Sequence, residues 1–169
     1  TESIFNQTIA LLREFKYARY VALTYVEGEQ LTAFQLQQQR NIGGFMKGLL
    51  VKRLESSFYA FRQSISRFIL SYEKFIDMFN NGTVYISKKI DVYELIEADN
   101  FEELETFVAQ EKAHKYKSDK FSEDFENHLQ NDLNILKKIR NLWAAVNVDP
   151  KLDEFITKIE SGWTDIDVI

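Results

Sequence analysis

Two cations, a carboxylate and two hydroxyls crowd into one and a half helical turns at Lys52, Arg53, Glu55, Ser56 and Ser57. In a helix, Lys52 and Ser56 lie four residues apart, as do Arg53 and Ser57, so each pair stacks along the axis. Charges held at such a junction need partners, because burying one alone is costly. Two readings stay open on physics alone: a local ion-pair and capping network, or a docking motif for another surface. Other chemistries fail on spacing. Gly43-Gly44-Phe45-Met46-Lys47 is glycine-rich but lacks the phosphate-loop spacing and the Ser or Thr that must follow. Two histidines support no Ser-His-Asp grouping. A carboxylate metal site in a bundle needs two Glu-x-x-His pairs on facing helices, and only Glu111 with His114 has that spacing. His128 shares a helix face with Asp124 and Asp132, and that face reads as exposed. With no cysteine, disulfides, thiolate zinc sites and cysteine nucleophiles are excluded. No catalytic, cofactor-binding or metal-binding residue is assigned, and the chain alone is not expected to be an enzyme.

The elements that must position this cluster follow from composition and periodicity. The 169 residues are 45% hydrophobic and 28% charged, with one Pro and six Gly, a globular composition that suits a single helical domain. Scaling of surface with mass lets such a chain bury roughly 70% of its unfolded surface. No run of about 18 uncharged apolar residues exists, so no membrane span is predicted. The cysteine-free composition fits a reducing, cytoplasmic setting. The net charge of −5 hides a pattern: residues 40–89 hold nine basic and three acidic side chains, whereas residues 91–111 hold eight acids and no base. Such segregation fits complementary faces within the molecule, or a basic arm near a polyanion.

Apolar residues recur at three- and four-residue steps over residues 3–26, predicting a first helix that Glu27-Gly28-Glu29 breaks. A more polar helix is expected over residues 31–40, ending near Gly43-Gly44. Residues 45–79 then read as one long helix. Its seam of Leu54, Phe58, Phe61, Ile65, Phe68, Tyr72, Phe75 and Phe79 alternates four and three. Upstream of that seam Met46, Leu49, Leu50 and Val51 point in nearly all directions, as in a helix buried all round. One helix of that length spans about 52 Å, more than the roughly 40 Å diameter of a compact chain this size. It is therefore expected to project as an arm, stopped by Asn80-Asn81-Gly82. A second long helix over residues 122–146 is its natural antiparallel partner. Residues 83–87 suggest a short strand, and residues 113–120 a solvated connector. Short helices are expected near 91–97, over 101–112 and after Asp149-Pro150. The predicted fold class is all-α: an elongated helical bundle with a long, antiparallel, coiled-coil-like arm.

The run LLVKRLESSFYAF, preceded by Gly43-Gly44-Phe45-Met46-Lys47, resembles a segment of bacterial superfamily-two DNA helicases of the Swi/Snf-like, DEAD/DEAH-box-related kind. Tyr17-Ala18-Arg19-Tyr20 looks like that family's Ala-Arg-Tyr element, and Asp149-Pro150-Lys151-Leu152 like the helix before the second ATPase lobe. Order and spacing of the three agree over most of the chain. The resemblance implies an interlobe helical insertion from a larger ATP-dependent helicase or translocase, with residues 1–169 as one helical domain. The family's phosphate-binding loop and Asp-Glu box would lie upstream of Thr1, and its arginine finger downstream of Ile169. ATP and Mg are thus expected of the intact parent, and no cofactor of this segment.

Lys52, Arg53, Glu55, Ser56 and Ser57 would then dock against a flanking ATPase lobe. Arg62, Arg67 and Lys74 would be sequence-independent contacts to DNA phosphates. The implied partners are the flanking lobes of the same polypeptide and, through the parent, DNA. The segment is expected to be monomeric if residues 122–146 cover the seam. The competing expectation is a free-standing helical interaction module that dimerises through Phe58, Phe61, Ile65 and Phe68.

Overall fold

The computed structural model describes residues 2–86 and 114–146, together with Ile156 and Thr157. Helices expected near 91–97, over 101–112 and after Pro150 lie outside these residues, and so does Asp149-Pro150-Lys151-Leu152. The described elements are α1 (Glu2–Glu14), a 3₁₀ segment (Ala18–Tyr25), α2 (Ala33–Ser56), α3 (Phe58–Asn80), β1 (Thr83–Ile86), β2 (His114–Lys117), a 3₁₀ turn (Ser118–Lys120) and α4 (Glu123–Trp143). The fold is mostly all-α, with one small two-stranded sheet. No helix among the described residues is long and apolar enough to cross a membrane.

The heptad-like seam of α3 is filled from within the chain. Phe61, Ile65, Phe68, Tyr72 and Phe75 are buried there. Phe58 and Phe61 pack on Trp143 at one end, while Phe75 and Phe79 pack on Phe125 at the other. That order makes α3 and α4 antiparallel, as the periodicity predicts. The surface proposed for dimerisation is therefore occupied by α4.

Three boundaries differ from expectation, each for a local reason. The first helix does not run to residue 26. It stops at Glu14, Tyr17 adopts the left-handed region at φ 56°, and the chain resumes as a 3₁₀ segment. The backbone amides of Lys16 and Ala18 are turned instead toward the Asp132 carboxylate, at 2.7 and 2.9 Å. The break at Glu27-Gly28-Glu29 falls where expected, with Gly28 at φ 74°.

The second difference is that α2 runs straight through Gly43, Gly44 and Gly48. Its start is fixed by a capping box, in which Thr32 Oγ1 accepts from the Gln35 amide and the Gln35 side chain accepts from the Thr32 amide. Beyond it Gln39, Ile42, Met46, Leu50 and Leu54 recur on one buried face. Packing along that face offsets the roughly 1 kcal/mol that each helical glycine costs. Gly43 has a reason to lack a side chain, since a Cβ there would meet Val21 Cγ1 at 3.2 Å. Lys47 and Gly48 are exposed, so this stretch is not buried all round.

The third difference is decisive for shape. The helix expected over residues 45–79 is two helices, divided at Ser57 (φ −160°, ψ 125°). Ser57 donates its amide to Arg53 O and accepts on Oγ from the Ala60 amide, so one residue closes α2 and caps α3. Each helix is about 35 Å long, short enough to lie within the globule, and the two touch. Ser57→Ala is expected to lower unfolding free energy by about 0.5–2 kcal/mol, and Ser57→Gly by only a few tenths. Urea unfolding of both variants measures the difference.

At its far end α3 stops as predicted, with Gly82 at φ 96° and its amide bonded to Phe79 O. The strand β1 follows, pairing with β2 in antiparallel register Thr83↔Lys117, Val84↔Tyr116, Tyr85↔Lys115 and Ile86↔His114. Residues 114–120, expected as a solvated connector, are thus a strand and a 3₁₀ turn. Ser118 Oγ ties the turn to Phe79 O, and Tyr116 lies against Phe121, which stacks on Phe125.

Candidate functional site

The Lys52–Ser57 cluster sits at the joint between two helices held by different neighbours. The 3₁₀ segment contacts α2, and α4 contacts α3. Leu54 is the last buried residue of α2. Around it Lys52, Glu55 and Ser56 are exposed, whereas Arg53 and Ser57 are half-buried. The four-residue stacking of Arg53 on Ser57 does not form as expected, because Ser57 has left the helix. Ser56 Oγ donates to Arg53 O at 3.2 Å, and the Ser57 amide reaches the same carbonyl at 2.9 Å. Both serines therefore end the helix. Lys52 and Glu55 are left presenting opposite charges to solvent beside the half-buried Arg53. Capping thus accounts for the hydroxyls, while the two exposed charges stay available to a partner.

The three candidate phosphate contacts are all exposed, but they do not form one track. At 100° per residue Arg67 and Lys74 fall on one flank of α3, and Arg62 lies about 120–140° away on the other. Arg62 is also engaged, donating from Nη1 to Val146 O at 3.1 Å. It borders a cleft of about 240 Å³ between α3 and α4, with Arg140 across from it and Phe61, Ile65 and Trp143 at the floor. Arg140 escaped sequence reasoning because it lies on the other helix of the pair.

Tyr17-Ala18-Arg19-Tyr20 is internal rather than a surface motif. Ala18 and Tyr20 are buried. Arg19 Nε donates to Ser71 O at 3.3 Å, and its guanidinium lies 5.0 Å from the Tyr20 ring centre and 5.5 Å from that of Phe75. The element straps the 3₁₀ segment to α3.

The residue that sequence reasoning placed wrongly is Asp132. It is fully buried, whereas His128 is half-buried and of the three only Asp124 is exposed. Its carboxylate accepts from the amides of Lys16 and Ala18 and from the Tyr72 hydroxyl at 2.8 Å. Two amides converging across a left-handed residue form a small anion-binding nest, and Asp132 fills it. Burial pushes the carboxyl above its ordinary pKa, against those three hydrogen bonds and the nearby His128, which pull it down. Burial, and then the Asp132 charge, push the Tyr17 and Tyr72 hydroxyls up. His128 Nδ1 pairs with Tyr25 Oη at 2.9 Å. Holding three of the protein's own donors, Asp132 organises structure, joining the Tyr17 turn and α3 to α4. Among the described residues no group of three potential metal ligands occurs.

Comparison of the chain with protein-family models, with curated proteins and with solved structures finds no match.

Proposed function

We propose that this chain is a helical segment bracing the two ATPase lobes of a DNA-dependent helicase or translocase. Lys52, Arg53 and Glu55 would dock on a lobe, while Ser56 and Ser57 shape the joint beneath them. The observation that carries the reading is the one-residue break at Ser57 directly under the exposed charged turn. A lobe seated on Lys52 and Glu55 would bear on the angle between α2 and α3, each held by its own packing. Coupling needs two arrangements with different contacts in each, and a capped joint between two anchored helices is suited to have them. Arg67 and Lys74 would meet DNA phosphates on one flank of α3, with Arg62 contributing from the other.

Arg53→Ala in the intact motor is expected to lower DNA-stimulated ATP hydrolysis about 5- to 20-fold, within the usual range of coupling energies, while the thermal melt stays cooperative. Unchanged stimulation in a folded variant would sink the assignment.

A further inference from the structure

The small sheet has an inner and an outer face of different chemistry. Directly paired residues of an antiparallel ladder share a face, and faces alternate along each strand. Val84 is fully buried, and its partner Tyr116 packs on Phe121. The outer face therefore carries Thr83, Tyr85, Lys115 and Lys117. Tyr85 is 51% exposed, with Lys115 directly opposite and Lys117 on the diagonal, both exposed. Among the described residues no carboxylate is paired with either ribbon lysine.

Lysines alone would be ordinary protection of a sheet edge against pairing with other chains. A half-exposed aromatic ring across the ribbon from them is not explained that way. The strand beneath is pinned by Val84, so the ring is presented from an anchored backbone. A π face beside two exposed ammonium groups matches one ligand chemistry closely: a base that can stack, on a backbone whose phosphates can be neutralised. Bases within a duplex are already stacked on both faces, which selects a single strand. An acidic peptide would satisfy the lysines and leave the ring unused.

We infer that the outer face of the β1–β2 ribbon binds single-stranded nucleic acid. Tyr85 stacks on one unpaired base, and Lys115 and Lys117 neutralise the flanking phosphates. The site lies at the opposite end of α3 from the Lys52–Ser57 joint, about 35 Å along the helix. It does not depend on the motor reading, and its failure would leave the ATPase test above unaffected.

Fluorescence anisotropy of a labelled oligothymidylate with the full 169-residue chain tests it, titrated between about 50 and 200 mM salt. Tyr85→Ala should weaken binding about 5- to 150-fold, the range expected for one stacked base. Tyr85→Phe should bind as the parent chain does, because the ring face and not the hydroxyl makes the contact. Lys115→Gln with Lys117→Gln should flatten the log–log salt slope by about 1.4. Ultraviolet crosslinking of a bromouracil-substituted strand to the unmodified chain should place the adduct on Tyr85.

Any of four results would overturn the inference. These are no binding at the lowest salt, Tyr85→Ala binding unchanged, an adduct confined elsewhere, or polyglutamate or duplex DNA competing as well as the single strand.

Discussion

Asp132→Ala should lower the unfolding free energy by about 3–5 kcal/mol, a large fraction of the 5–15 kcal/mol typical of a domain. The substitution removes no large packing volume. Its effect comes from the amides of Lys16 and Ala18 and the hydroxyl of Tyr72, three donors that lose their acceptor. Asp132→Asn restores an oxygen but turns an N–H toward some of those donors, so about half of the loss should remain. Urea unfolding at neutral pH reads both variants.

The pH dependence carries a sign that separates this carboxylate from an ordinary salt-bridged one. Its pKa is raised in the folded state, chiefly by burial. Between the unfolded and folded values the native chain therefore holds a proton that the unfolded chain has released. Its contribution to stability is fully present below the unfolded pKa and falls as pH rises through the folded one. Asp132→Asn should remove that downward slope, visible as a difference between urea midpoints of the two proteins across a mildly acidic pH series. Parallel curves would mean that the carboxylate titrates alike in both states.

Trp143→Ala should be comparably damaging, at about 3–5 kcal/mol for truncating a buried indole. Trp143 is 1% exposed and packs on Phe58 and Phe61, with ring centres at 4.7 and 5.6 Å. Its Nε1 donates to the buried Thr8 Oγ1 at 2.8 Å, and that hydroxyl donates to Ile4 O. One side chain thus joins α1, the start of α3 and the end of α4. Trp143→Phe keeps most of the contact and loses the hydrogen bond, so a loss of about 1–2 kcal/mol is expected. If the alanine variant unfolds at the parent's urea midpoint, the α1–α4 contact contributes nothing to stability.

The helix pair α3–α4 was legible in the sequence because its period is regular and both faces of the seam are apolar. The ends of α3 were half legible. Asn81-Gly82 is a conventional stop, but nothing in Leu54-Glu55-Ser56-Ser57-Phe58 interrupts the apolar period, and the break comes from an extended Ser57 backbone with its hydroxyl capping α3. The glycines of α2 misled in the opposite direction. Gly43 and Gly44 resemble a terminus, and only the approach of Val21 reveals why a helix tolerates Gly43.

Asp132 was invisible for a related reason. A carboxylate among Asp124, His128 and Asn131 reads as solvent-facing. What buries it is a left-handed turn at Tyr17, more than a hundred positions away in the chain. The motif Lys52–Ser57 was found from residue types alone, whereas the ribbon's outer face needed the register, since His114–Lys117 shows no apolar alternation.

The pairing of Ile86 with His114 closes the open end of the ribbon. The chain departs after Ile86 and returns at His114 with those two residues held one strand spacing apart. The two strands thus tie the C-terminal end of α3 to the N-terminal end of α4 through backbone pairing, in addition to the apolar seam. The ribbon acts as a clamp: a substitution that loosens either strand would free the joined ends of α3 and α4 together, even with every side chain of their seam intact.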